Sequence, residues 1–375
     1  MSYFLIAGDL VPTSSNENSF INGDINLLFG NEIVEVFKNS FLNIINLETP
    51  LVNEPSPCIK RGQIHSTNIN CINAIKALRI NLCLLANNHV MDNGAKGLSS
   101  TIEKLKEQDI SYIGAGSDIT QARIPYSFSL SGKKVTVINL ADNEFNQAGI
   151  NTPGVFVYDP LEAFDYITFC KKQCDHLIII YHGGIEDYQY PTPHLQRICH
   201  KMVDCGADIV ICQHSHCIGS YENYRNAFIL YGQGNFLFDN DNEELHKSSM
   251  ILRVEIDNNE NKLTICPIPI LKKQQYVNKA NFDETKKILD EFNRRSVEIK
   301  DTNFLYNKFD EFCRTKQREC YNAILCNNIV FRGINKISNG WFYKALFNVK
   351  NRMRIVNYLE CIALNEILNN VFKKL

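Results

Sequence analysis

An alternation constrains this chain more than any other feature. Through its first 270 residues, short apolar runs rich in β-branched side chains take turns with stretches of helical periodicity. Strands buried on both faces read as unbroken apolar runs, and the helices between them cover those faces. The predicted strands are Tyr3–Ala7, Leu42–Asn46, Leu82–Ala86, Tyr112–Gly114, Val135–Leu140, Leu177–Tyr181, Ile209–Gln213 and Phe228–Gly232. Apolar residues at helical spacing predict helices over Asn70–Leu78, Ser99–Gln108 and Pro193–Asp204. The fold class is therefore α/β, in layers. From Met250 the pattern changes to alternation, and a turn at Asn258–Asn261 followed by the run Leu263–Pro269 predicts a hairpin at a sheet edge.

Past Leu271 the pattern is helical, most periodic over Asp283–Ser296 and Arg352–Phe372, and no strand is expected. This divides the chain into an α/β domain over residues 1–270 and a mainly helical region over 271–375. Charge divides it at the same place. The whole chain carries 39 basic and 41 acidic residues, a net of -2, so its global balance gives no reason to expect a nucleic-acid or membrane partner. Residues 271–375, however, hold 20 basic and 11 acidic residues (+9), which leaves 19 and 30 (-11) in the rest. The basic stretches at Arg294-Arg295, Arg314 to Arg318 and Lys350 to Arg354 have two readings. They bind an anionic polymer or phosphate backbone, or they are the solvated face of helices packed on an acidic body.

The 14 cysteines include no C-x-x-C pair, and Cys170 and Cys174 are expected on one helix face. No positively charged segment precedes the Tyr3–Ala7 run, and no apolar stretch reaches the roughly 18 to 20 residues of a membrane span. The expectation is a cytoplasmic chain with reduced thiols and no membrane span.

Polar residues cluster at the carboxyl ends of the predicted strands, where open α/β sheets place their ligands. They are Asp9, then Asn46 and Glu48, then Asn87-Asn88-His89 with Asp92, then His182-Gly183-Gly184, and finally His214-Ser215-His216. Singly each has a plain alternative: a cap for Asp9, a solvated loop carboxylate for Glu48, a turn for Asn87-Asn88, a buried ring for His182. The His-x-His pair is harder to set aside, since alternate residues of an extended segment can face one ion. Together, four of nine histidines beside two carboxylates and an asparagine suggest metal-assisted hydrolysis. Oxygen and imidazole donors without thiolate suit one or two ions of manganese, iron or zinc. No P-loop, dinucleotide fingerprint or nucleophile elbow is present.

The succession Gly8-Asp9, Asn46-Leu47-Glu48-Thr49-Pro50, Ala86-Asn87-Asn88-His89 with Asp92 and Gly94, His182-Gly-Gly-x-Glu186-x-Tyr188, His214-Ser-His216 and Gly234-Asn235-Phe236 resembles the CapA family. That family comprises capsule-synthesis proteins associated with poly-γ-glutamate, within the calcineurin-like metallophosphoesterase superfamily. The resemblance implies a four-layer α/β/β/α sandwich with a C-terminal helical extension. It implies that Asp9 and His216 hold one metal, that Asn88, His182 and His214 hold another, and that Glu48 bridges them. His89 would be the acid that serves the leaving group. Asn46, Asp92, Glu186, Tyr188 and Asn235 would stand behind the ligands or against substrate. Val11 occupies the position where the superfamily usually has a histidine, which implies one-metal occupancy as an alternative. The expected substrate is a phosphoester or an amide such as a γ-glutamyl bond, in a small molecule or a polyanionic polymer. The alternative is an accessory protein that binds such a polymer without turning it over. Substrate choice is expected in the loops Glu54–Ser66, Asn143–Pro153 and Asn240–His246.

Overall fold

The computed structural model describes residues 2–60, 62–144, 146–239, 244–257 and 262–373, and it divides into two compact units, Met1–Tyr306 and Asn307–Leu375. In the first unit the strands run in three blocks. The first block holds β1 (Tyr3–Val11), β2 (Leu42–Leu47), β3 (Leu82–Leu84) and β4 (Ser111–Ile113). The second holds β5 (Tyr126–Leu130), β6 (Lys133–Ala141), β7 (His176–His182), β8 (Ile209–Gln213), β9 (Tyr221–Tyr224) and β10 (Ala227–Tyr231). The third holds β11 (Asn235–Phe238), β12 (Ser248–Asp257), β13 (Lys262–Lys273) and β14 (Tyr276–Lys279).

The outer two blocks make one sheet, ordered β14-β13-β12-β1-β2-β3-β4 with β11 also paired to β1. The middle block makes a second, ordered β9-β10-β8-β7-β6-β5. Phe4, Ile6, Ile44 and Leu82 meet Val135, Ile178, Ile180 and Ile211 in one core between the sheets. The next residues along the same strands point outward. Leu5, Ile45 and Cys83 pack under Phe29, Ile33 and Phe37 of the helix Ile25–Lys38 and under Leu98 of the helix Gly94–Glu107. Leu177, Ile179 and Val210 pack under Ile167 of Ala163–Lys171 and under Cys199 and Met202 of Pro193–Asp204. The layers are therefore helices, sheet, sheet and helices. Burial on both faces is the physical reason the strand sequences are apolar without alternation.

The middle of β1 is irregular, and this shapes the site. Its pairing with β2 shifts register between Ile6 and Asp9, and its pairing with β11 shifts between Asp9 and Leu10. Such an irregularity releases ladder carbonyls. Two buried glutamines collect them: Gln233 Nε2 donates to Ile6 O (2.7 Å) and Met250 O (3.0 Å), while Gln213 Nε2 donates to Ala7 O (3.3 Å) and Gln233 Oε1 (3.0 Å). Replacing Gln233 with leucine strands buried carbonyls. It should cost about 2 to 4 kcal/mol in urea unfolding; a loss within about 0.5 kcal/mol would show that these bonds contribute little.

Three expectations are corrected. The hairpin β12–β13 is not at the sheet edge, because β14 adds a further strand outside it; its turn, Asn258–Asn261, lies outside the described residues. The division expected near residue 271 falls instead after Tyr306. Charge and periodicity change at 271, but the core does not end there. The helix Phe282–Glu298 buries Phe292 and Ser296, Arg295 Nε donates to Gly219 O (2.8 Å), and Ile299 and Leu305 join the core over the second sheet. Finally, Cys174 lies beyond the helix Ala163–Lys171 and does not share its face with Cys170, although its thiol donates to Cys170 O at 3.4 Å. All 14 cysteines are free.

In the second unit the helices are Ile329–Ile337, Trp341–Leu346, Val349–Glu360 and Ile362–Lys373, after the end of the helix Thr302–Ile324. The periodic stretch Arg352–Phe372 is helical, divided between two helices at Cys361, whose ψ of 110° is extended. A small core forms around Tyr321 stacked on Phe347 (4.1 Å between centroids), with Tyr343 Oη donating to Asn322 Oδ1 at 2.5 Å. Among the described residues no helix is long and apolar enough to cross a membrane.

Candidate metal centre

The carboxyl ends of β1, β2 and β3 from one sheet meet those of β7 and β8 from the other, and their polar residues converge. Asp9 follows the tight passage at Gly8, where an added Cβ would lie 2.0 Å from Gly234 O. Asn46, at the end of β2, donates from Nδ2 to Asp9 Oδ1 (2.7 Å) and approaches His182 Nδ1 (3.3 Å). His182 Nε2 lies 3.0 Å from Asn88 Oδ1 and 3.2 Å from Glu48 Oε1. His216 Nδ1 lies 2.8 Å from Asn235 Oδ1 and 3.3 Å from Asp9 Oδ2. His214 and His216 both take positive φ, 91° and 55°, so the chain leaves β8 in a sharp turn that a generic extended loop would not make.

Glu48 is the centre of this arrangement. It is 0% exposed, and its Oε1 pairs with His182 Nε2 at 3.2 Å. Burial alone would raise its pKa, but the rings of His216 and His182 outweigh that and hold it well below the usual carboxylate range. The compensation runs both ways. Burial opposes charge on His216, yet Glu48 and Asp9 push its pKa up to about 10. Glu48 likewise overcomes burial to raise His182. Burial, with the nearby rings of His182 and His216, keeps His214 well below its ordinary value, so it is a neutral imidazole with an unpartnered Nδ1. Ligand atoms of Glu48, His214 and His216 lie within 4.8 Å of one another. A fully buried carboxylate whose partner is an imidazole, with the second imidazole of His214 neutral beside it, fits a divalent cation.

His89 stands beside this group. Its Nδ1 lies 2.7 Å from Asp92 Oδ2, which also accepts from the backbone of His65 (2.6 Å). Lys60 pairs with Asp92 and donates to Asn88 O (2.9 Å). The His65 ring lies 4.1 Å from that of His89, and burial together with His89 lowers its pKa to about 4. Asn87 fixes the turn itself: its Oδ1 accepts from His89 N (3.1 Å) and Val90 N (2.8 Å), and its Nδ2 reaches Asn46 Oδ1 (3.0 Å) and Leu47 O (2.9 Å).

Of the residues singled out in sequence, Asp9, Asn46, Glu48, Asn88, His89, Asp92, His182, His214, His216 and Asn235 all come together. Glu186 does not: it is exposed, and among the described residues no contact joins it to the cluster. Tyr188 is buried against Tyr190, their rings 6.0 Å apart. The residue between them is the one tied to the site, since Asp187 N donates to Ser215 O (3.1 Å) and its carboxylate lies 2.7 Å from His246 Nε2. Val11 is buried and pairs with Phe238, so no ligand stands there.

Each of the three loops expected to matter brings residues to this region. Glu54–Ser66 brings Lys60 and His65. Asn143–Pro153 brings Glu144, 3.4 Å from His214 Nε2, and Asn146, whose Nδ2 donates to Asn87 O (2.6 Å). Asn240–His246 brings His246, whose ring lies 5.8 Å from that of His216; residues 240–243 are outside the described residues. Lys60, His65 and His246 carry no sequence signal of their own, because none closely follows the carboxyl end of a strand, whereas Glu144 lies three residues past the end of β6.

Four layers, with histidines, carboxylates and asparagine gathered at the strand ends of both sheets, define an α/β/β/α sandwich with a candidate metal centre. The family is more specific. The chain belongs to the bacterial capsule synthesis protein PGA_cap family, whose model matches residues 4–240. It is 28% identical over 241 residues to the PGA biosynthesis protein CapA of Bacillus subtilis (strain 168), covering 63% of each chain. It is 30% identical over 243 residues to the capsule biosynthesis protein CapA of Bacillus anthracis, covering 62% of this chain and 59% of that one. The match thus spans about three fifths of these relatives' length. Among solved structures it is similar to a novel phosphatase from Mycoplasma pneumoniae, at 14% identity and a TM-score of 0.46, covering 76% of this chain and 96% of the other.

Proposed function

We propose that the chain is a metal-dependent hydrolase acting on a phosphoester or a γ-glutamyl amide. The observation that carries this reading is Glu48, fully buried, ion-paired with His182, and grouped with His214 and His216 within 4.8 Å. Asp9 and His216 would hold one ion, and Asn88, His182 and His214 a second, with Glu48 between. The oxygen and imidazole donors suit manganese, iron or zinc. Such an ion supplies Lewis-acid polarisation and a hydroxide-like water at neutral pH.

The chain's own residues do the rest. Asn46 and Asn235 orient Asp9 and His216 through their side-chain amides. Asp92 accepts from His89 Nδ1, which fixes the ring and leaves its other nitrogen to protonate a leaving group. Lys60 balances the Asp92 charge. His89→Ala should therefore lower kcat by about 100-fold or more while metal content stays the same. Equal loss of metal would make His89 part of the ligand set and not a proton donor.

The test is metal content by elemental analysis on protein purified without chelator, followed by p-nitrophenyl phosphate and γ-glutamyl-p-nitroanilide assays. Turnover that needs the metal supports the proposal; full metal loading with no turnover on a broad panel of both bond types removes it. Val11 favours a second reading. With an apolar side chain where a ligand would complete the Asp9 side, the pocket would bind an acidic polymer or its precursor without hydrolysing it, as an accessory protein. Two relatives from Mycobacterium tuberculosis are themselves described as probable polyglutamine synthesis accessory proteins.

A further inference from the structure

The second unit has its hydrophobicity on the outside. In the helix Ile329–Ile337, Ile329 (80% exposed), Val330 (61%), Ile334 (42%) and Ile337 (87%) all face out, while the buried residue is Asn335. At 100° per residue these four fall within one arc of about 140°, with Arg332 and Lys336 on its flank. Asn335 is inside because its Oδ1 accepts from Tyr343 N (3.0 Å), joining this helix to the next. Trp341 follows at once and is 69% exposed, and Val349 and Met353 of the helix Val349–Glu360 are exposed as well. A monomeric soluble surface rarely gathers so many large apolar side chains in one segment without a partner.

Charge identifies that partner. From Cys320 to Leu359 the chain has six basic residues, Arg332, Lys336, Lys344, Lys350, Arg352 and Arg354, and no acidic one. A protein interface of this size tends to lose lysine from its centre and to mix both signs at its rim. An anionic lipid surface asks for what is present here: outward apolar side chains on short helices, an exposed tryptophan ring, and a stretch of chain that is basic without an acidic residue. These helices are too short and too basic to cross a bilayer, so they would lie in its surface.

We propose that the helical unit 307–375 docks on an anionic membrane surface, with the stripe Ile329, Val330, Ile334 and Ile337 and the ring of Trp341 entering the lipid boundary and the six cations facing its headgroups. The unit lies outside the region matched by the family model, residues 4–240. The docking is independent of whether the metal centre is catalytic.

Trp341 is the only tryptophan, which makes the test direct. The full chain is titrated with phosphatidylcholine vesicles with and without phosphatidylglycerol, and Trp341 emission and co-sedimentation are read. The expected result is a blue shift and sedimentation with the anionic vesicles alone. Ile337→Asp, a change at an exposed site that leaves the fold untouched, should weaken partitioning by about tenfold or more. The pair Arg332→Gln and Lys336→Gln should weaken it by about 25-fold, at roughly fivefold for each cation. No sedimentation with anionic vesicles overturns the proposal, as does equal binding to neutral ones. A blue shift that appears without lipid as protein concentration rises, accompanied by dimer in sedimentation equilibrium and reversed by Ile337→Asp, also overturns it and assigns the face to a second copy of the chain.

Discussion

His214→Ala should yield a folded protein that retains less divalent metal, losing the ion that Asn88, His182 and His214 would hold. The fold survives because the ring gives little to it: Nδ1 has no partner, and Nε2 meets only the partly exposed Glu144 at 3.4 Å. Removing an imidazole that burial and two neighbouring rings keep neutral costs under about 2 kcal/mol, the small end for a buried truncation. The metal site loses far more. Among the described residues Glu48, His214 and His216 form a group whose ligand atoms all lie within 4.8 Å of one another, and the second ion would be left with Asn88, His182 and Glu48 alone. Loss of an outer partner of a metal ligand costs about 10- to 100-fold in affinity, and loss of a ligand exceeds that. Elemental analysis of wild type and variant, with circular dichroism to verify folding, decides the matter. Metal retained at equal stoichiometry in the variant would remove this cluster from the proposed function.

Gly8→Ala should be among the most destabilising single changes in the chain, about 4 kcal/mol or more, or should abolish soluble expression. The new Cβ would meet Gly234 O at 2.0 Å, the carbonyl carbon at 3.2 Å and Phe236 N at 3.5 Å. All three are backbone atoms of a neighbouring segment, so no rotamer change relieves the clash, and β1 would have to part from β11. That pairing sets Asp9 opposite Asn235, so any protein that does fold should also bind metal poorly. Gly333→Ala is the control. It lies in a helix with nothing within 4 Å of the added methyl, and should be neutral or stabilising by about 0.5 to 1 kcal/mol. Thermal unfolding of both variants tests the contrast; a Gly8→Ala protein as stable as wild type would mean that the two segments are free to separate.

The layered fold was legible because both sheets are covered on both faces. A strand such as Leu177–Tyr181 must be apolar at every position when alternate residues enter two different cores, and that composition is visible one residue at a time. Strands that are not buried this way were missed. Tyr126–Leu130 sits at an edge, and its alternate serines hide it; the turn after it, Ser131-Gly132, closes the hairpin with φ of 50° and 79°. Tyr276–Lys279 was missed for the same reason: it is short, polar and on the rim.

The ligand types were legible too, because a metal site needs carboxylate and imidazole wherever the chain supplies them, and strand ends are where an α/β sheet exposes them. By itself the sequence determined the layered class and the identity of ten residues that converge. Tertiary structure alone decided the rest. It decided that Asp187 and not Glu186 is tied to the His214–His216 turn, that Lys60 and His65 arrive from a featureless loop to meet Asp92, and that the first unit ends at Tyr306 and not at residue 271. It also decided that the apolar face of Ile329–Ile337 points outward. The reason is common to all four. Periodicity records which residues share a face, but whether a face is covered, and by what, depends on segments far away in the chain that only the packed structure brings together.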